Sequence, residues 1–142
     1  MKADSVTAPR ILVLASGSGT NLQALINASR ERDFPGQIVA VGCNRPGAFA
    51  LERAAQANID TFTVDHTHYG SREEFDGALM AEIRRHNPDL IVLAGFMRIL
   101  TTDFVRALRG TMLNVHPSLL PKYTGLKTHQ RCLLYTSDAA DE

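Results

Sequence analysis

Short apolar runs alternate along the chain with longer segments whose apolar residues recur every three or four positions. Residues 11–15, Ile-Leu-Val-Leu-Ala, are apolar without a break and end at a Gly-Ser loop. Such a run fits a strand buried on both faces. From residue 21 to about residue 32 the period becomes helical, with Leu22, Leu25, Ile26 and Ser29 on one stripe. Residues 37–43 read as a second strand, 48–57 as a helix that stops near Asn58, and 60–64 as a short third strand. Ser71 followed three positions later by Glu74 forms a capping box, opening a helix with Phe75, Leu79 and Ile83 inward. Asn87-Pro88 ends it, because the residue before a proline avoids helical dihedrals. Residues 90–94 give strand four, 102–108 a helix closed by Gly110, and 111–115 strand five. Strand and helix in regular alternation predict an α/β fold with a mostly parallel sheet, right-handed crossovers and helices on both faces.

Length and charge narrow the function classes. A chain of 142 residues is one domain by size. Fifteen Lys and Arg balance fifteen Asp and Glu, so no net charge steers the chain to nucleic acid or anionic membrane. The longest apolar run, residues 91–97, falls far short of the roughly 20 residues that cross a bilayer. Residues 1–9 carry an acid and no apolar core, and read as a flexible leader rather than a secretory signal. Of the two cysteines, Cys43 sits in an apolar strand and is expected to act as a small buried hydrophobe. Neither a disulfide framework nor a metal cluster is indicated. These features predict a cytoplasmic protein working on small molecules, and they leave its oligomeric state unspecified.

Three loops carry candidate chemistry. Asn114 and His116 stand two apart on an extended segment ending in Pro117, so their side chains share a face. Asparagine can donate to a developing oxyanion and histidine can exchange protons near neutral pH, a pairing suited to acyl transfer. A core strand that happens to end in these residues is the competing explanation. Ser16-Gly-Ser-Gly-Thr-Asn21 joins strand one to a helix, where glycines let the backbone approach an anion. A dinucleotide fingerprint would need a third glycine near Gln23 and an acid after strand two, where Asn44-Arg45 stands. A P-loop would need Gly-Lys-Ser/Thr, which is absent. One phosphate held by the amides of Gly19, Thr20 and Asn21 is the favoured reading, with a plain tight turn still open. Residues 95–100 follow strand four as an apolar wall with accessible peptide groups, suited to a flat heteroaromatic ring or to nothing beyond a strand-to-helix connection.

The segment 113–125, with the stretches 11–23 and 93–100, resembles the folate-dependent formyltransferases, in register from about residue 10 to residue 131. The resemblance implies a Rossmann-like sheet and transfer of a formyl group from 10-formyltetrahydrofolate to the amine of a glycinamide ribonucleotide, without a metal. It assigns Asn114 and His116 as the catalytic pair and Gly19, Thr20 and Asn21 to the ribonucleotide phosphate. It assigns Arg72, Met97, Arg98, Ile99, Leu100 and Asn114 to the folate. Two other formyl-folate activities, on methionyl-tRNA and in formyltetrahydrofolate hydrolysis, share the Asn-x-His logic; the phosphate loop argues against both, and the neutral charge further against the tRNA enzyme. The pattern is broken at Thr124, where proline is common, and at Lys127, where histidine is common, leaving His129 as a structural residue. A third catalytic residue of the family, an aspartate, has no counterpart here. From Cys132 to Glu142 the chain no longer follows the family and resembles a translated sequencing adapter, so Asp138 and Asp141 are not recruited. The expected organisation is therefore a leader at 1–9, the N-terminal portion of a formyltransferase domain at 10–131 and a non-native tail at 132–142. Such a chain is expected to bind ligand weakly and turn over negligibly, a nucleotide-binding fragment in effect.

Overall fold

The apolar run at 11–15 becomes the middle of a sheet because both of its faces are covered. The computed structural model describes residues 8–115. Its elements are β1 (Arg10–Ala15), α1 (Thr20–Ser29), β2 (Gln37–Cys43), α2 (Phe49–Gln56), β3 (Asp60–Thr63), a 3-10 turn (His66–His68), α3 (Arg72–His86), β4 (Leu90–Ala94), α4 (Thr102–Ala107) and β5 (Met112–Val115). All strands run parallel, in the order β3-β2-β1-β4-β5. Most of the leader, His116, the positions Thr124, Lys127 and His129, and the tail from residue 132 lie outside the described residues.

Alternation along β1 sorts the core into two layers. Ile11, Val13 and Ala15 face Leu22 and Ile26 of α1 and Ala50 and Ala54 of α2. Leu12 and Leu14 face Phe75, Leu79 and Ile83 of α3 and Phe104 and Val105 of α4. Burying each large side chain contributes roughly 1.5–3 kcal/mol, so the α3 triplet is a main anchor of its layer. Right-handed crossovers explain the split: the chain winds outward from β1 over one face, then returns past β1 and winds outward over the other. In β2, register slips between Ile11 and Leu12 of its partner, so that Val39 bulges and Ala40 takes the next pairing position. Cys43 is buried and free, and burial pushes its thiol up to about 11, which keeps it a neutral hydrophobe.

Element ends follow local chemistry. Ser71 accepts a hydrogen bond from the Glu74 amide at 3.2 Å, and the Glu74 carboxylate accepts one from the Gly70 amide at 2.9 Å, one position before the cap. Asn87 closes α3 in the left-handed region at φ 48°, a conformation asparagine tolerates ahead of Pro88. The first helix stops at Ser29, three residues short of the expected end. Residues 30–33 are all charged and offer no apolar side chain to extend the buried stripe.

Candidate functional site

Strand order reverses at β1, since the chain leaves it toward β2 on one side and returns to pair β4 on the other. Open α/β sheets bind ligands at the carboxyl ends of strands flanking such a point. A cleft of about 460 Å³ opens there. Residues 16–21 form its floor; Asn44, Arg45 and His66, from the loops after β2 and β3, form one wall; Ala94, Gly95, Met97 and Arg98, leaving β4, form the other. No carboxylate lines it among the described residues, and the same residues contain no cluster of His, Cys, Asp and Glu able to hold a metal.

The floor is built from backbone. Gly19 is the N-cap of α1 at φ 76°, with no side-chain cap and no acid in the first turn. The opening amides of α1 therefore face the cleft with the positive end of the helix dipole behind them, an arrangement complementary to an anion. Glycine is required twice over: for its left-handed φ, and because a Cβ there would lie 2.8 Å from both Cα and Cβ of Ala50. The loop is pinned from α2. Gly17 O accepts from the Ala50 amide at 3.1 Å, and Ser18 O accepts from Arg53 Nε at 2.7 Å. Arg53 also reaches Gln23 Oε1 at 3.3 Å and lies 4.6 Å from the centre of the Phe49 ring. Reading the sequence missed Arg53; its only trace there is the i, i+4 spacing from Phe49.

The opposite wall hangs from side chains. Gly95 turns the chain at φ 77°. Ser16 Oγ then accepts from the Met97 amide at 2.7 Å, tying this loop to β1. Farther on, the buried Asp76 of α3 accepts from the Thr101 amide at 2.8 Å, and the Thr101 hydroxyl accepts from the Phe104 amide at 3.1 Å to start α4. Between these ties Met97 is 80% and Ile99 65% exposed, while Leu100 turns in against the α3–α4 layer. The Arg98 guanidinium lies 5.6 Å from the centre of the Phe75 ring. Ser16 and Asp76 carried no signal in the sequence, because their partners are 81 and 25 residues away.

The cleft thus brings Gly19, Thr20 and Asn21 together with Met97 and Arg98. It does not include Ile99, Leu100, Arg72 or Asn114 among its lining residues. Arg72 is exposed at the start of α3. Asn114 is half-buried near the end of β5, paired with Leu93 of β4. By alternation it shares the α3–α4 face with Met112, whereas α1 leaves the sheet on the other face. His116 lies outside the described residues. Beside the cleft, Asp65 is held below the usual carboxylate range by hydrogen bonds from the Thr67 hydroxyl and amide, then by His68 and His66.

Comparison with known proteins places this architecture. A family model described as formyl transferase matches residues 9–140. A phosphoribosylglycinamide formyltransferase of Escherichia coli (strain K12) is 51% identical over 123 residues, covering 87% of this chain and 58% of that protein. The trifunctional purine biosynthetic protein adenosine-3 of Homo sapiens is 44% identical over 124 residues, 87% of this chain and 12% of that one. The solved phosphoribosylglycinamide formyltransferase of Coxiella burnetii aligns with a TM-score of 0.74 and 49% identity over 90% of this chain and 60% of its own. That of Brucella melitensis gives 0.75 and 40%, over 91% and 67%. The chain therefore spans little more than half the length of the bacterial relative from Escherichia coli.

Proposed function

The chain belongs to the formyl transferase family, and from that premise we propose that it carries out its part of a formyl transfer from 10-formyltetrahydrofolate to the amine of phosphoribosylglycinamide in purine biosynthesis. The observation that supports this choice within the family is a cleft lined by no carboxylate among the described residues, with the open N-terminus of α1 at its floor. Its amides at Gly19, Thr20 and Asn21 suit a phosphate monoester. From there to β5 is two strand spacings, about 10 Å, a distance an extended phosphoribosyl glycinamide bridges along the strand ends. The substrate amine would then reach Asn114.

The folate would lie along residues 97–100 with Arg72 at its outer end. Exposed Met97 and Ile99 offer apolar surface, and the peptide groups between them offer donors and acceptors for a pterin edge. The folate supplies the formyl carbon as substrate. Attack by the amine creates a tetrahedral oxyanion, to which the Asn114 amide donates; one such donor contributes about 3–4 kcal/mol in the transition state. His116, two residues on, moves a proton to the departing nitrogen. Both substrates are small molecules of the cytoplasm.

Thermal shift on this chain tests the assignment. Phosphoribosylglycinamide should raise Tm, its dephosphorylated riboside should not, and methionyl-tRNA should not. Protection by tRNA and none by the ribonucleotide would transfer the chain to another formyl-folate activity.

A further inference from the structure

The wall made by Asn44, Arg45 and His66 belongs to neither substrate in the reading above, yet it faces the same cleft as the α1 amides. Its hydrogen bonding is unfinished. His66 Nδ1 lies 3.0 Å from the Asn44 carbonyl oxygen and 3.2 Å from Asn44 Nδ2. A carbonyl only accepts and an amide nitrogen only donates, so Nδ1 cannot satisfy both. Protonated Nδ1 donating to the backbone carbonyl is the arrangement that satisfies the main chain, and it leaves Nε2 as the imidazole's outward group. Asn44 itself is 3% exposed, and its Oδ1 has no partner among the described residues. Oδ1 is an acceptor, so a donor on the ligand, such as a sugar hydroxyl beside the phosphate, would complete it.

Charge points to what that ligand is. Asp65, the acid preceding His66 in the chain, is spent on its own turn: it accepts from the Thr67 amide at 3.0 Å and hydroxyl at 2.7 Å, and faces His68 Nε2 at 3.5 Å. Arg45 is exposed beside the cleft, and Arg98 stands on the far wall. Two cations and an imidazole, with no lining carboxylate among the described residues, suit an anion.

We propose that Arg45 and His66 form a second, side-chain half of the phosphate site, clasping the monoester from across the cleft while the amides at 19–21 hold it from below. This rests on the phosphate assignment above and extends it to two residues that the sequence left unassigned. Arg45 presents a planar fork to two phosphate oxygens, and His66, as the imidazolium in the bound state, donates from Nδ1 to the Asn44 carbonyl and from Nε2 to the phosphate.

Ribose 5-phosphate is the probe, with ribose as the neutral control, titrated by calorimetry and by 15N imidazole spectra. Arg45→Gln and His66→Gln should each weaken binding about tenfold or more, the scale of one charge-assisted hydrogen bond. The Nε2 resonance of His66 should move on binding. Arg85→Gln, which removes the same charge from an exposed helix face, should leave affinity unchanged. Unchanged affinity in both Arg45→Gln and His66→Gln, with Gly19→Val abolishing binding, would overturn the clasp and leave the amide cradle standing. Absence of ribose 5-phosphate binding by the unaltered chain would overturn both. Circular dichroism on each variant separates lost binding from lost fold.

Discussion

The two loops that leave β1 and β4 are neighbours on the sheet and opposites in construction. The β1 loop is held through its own backbone: Gly17 and Ser18 carbonyls are gripped by α2, and Gly19 is pressed against Ala50. The β4 loop is tied by hydrogen bonds to side chains from elsewhere, Ser16 at one end and Asp76 at the other, and packs inward through Leu100, with exposed Met97 and Ile99 between. A compact anion needs fixed amides, and fixed amides need a loop that cannot move. A flat, extended ligand needs surface that can adjust, and a loop pinned at two points supplies it.

Gly19→Val breaks that contrast most severely. A β-branched residue there meets both a forbidden φ and the Ala50 backbone, which cannot move without shifting α2. A loss of about 2–4 kcal/mol in stability is expected from these two sources together, with phosphate binding abolished. Urea unfolding and a phosphate titration check it; a stable variant that still binds would refute the rigid cradle.

Asp76→Ala acts on the other loop. It strips the Thr101 amide of its acceptor in a buried setting, at a cost of about 1–3 kcal/mol. Hydrogen exchange should quicken across residues 96–104 and stay slow in α1. Asp76→Asn keeps an acceptor and should restore most of the protection. Uniform quickening in both loops would mean that they are one unit after all.

Ser16→Ala is the smallest of the three, since it removes a single neutral bond to the Met97 amide, about 1 kcal/mol. It is also the sharpest, because Ser16 lies in one loop and serves the other. Faster exchange at Met97 with unchanged phosphate affinity would separate support of the β4 loop from the phosphate cradle; a fall in both would couple them.

Much of this was legible along the chain. The strands at 37–43 and 90–94 match β2 and β4, and the Phe75, Leu79, Ile83 stripe is buried as its spacing requires. Periodicity reports burial directly, because each element must hide one stripe or both faces. The Ser-Gly-Ser-Gly loop was legible too, because a left-handed N-cap demands glycine locally. The supports were not: Ser16, Arg53 and Asp76 act on residues distant in sequence, and no local pattern encodes those meetings. The Asn114 pairing shows the same limit. Spacing predicted a shared face for Asn114 and His116, but only the sheet showed that Asn114 belongs to the α3–α4 side.

Sequence by itself thus determined what short-range forces govern: which segments are strands and helices, where they cap and stop, and which loop has the backbone freedom to cradle an anion. Tertiary structure decided which loops became neighbours. The return of the chain past β1 put β4 beside it, and that single crossing placed residues 97 and 98 against residues 16–21 and set Arg45 and His66 across from both. Handedness of the crossovers, a property of chirality and twist rather than of any residue, then fixed which face of the sheet each helix covers.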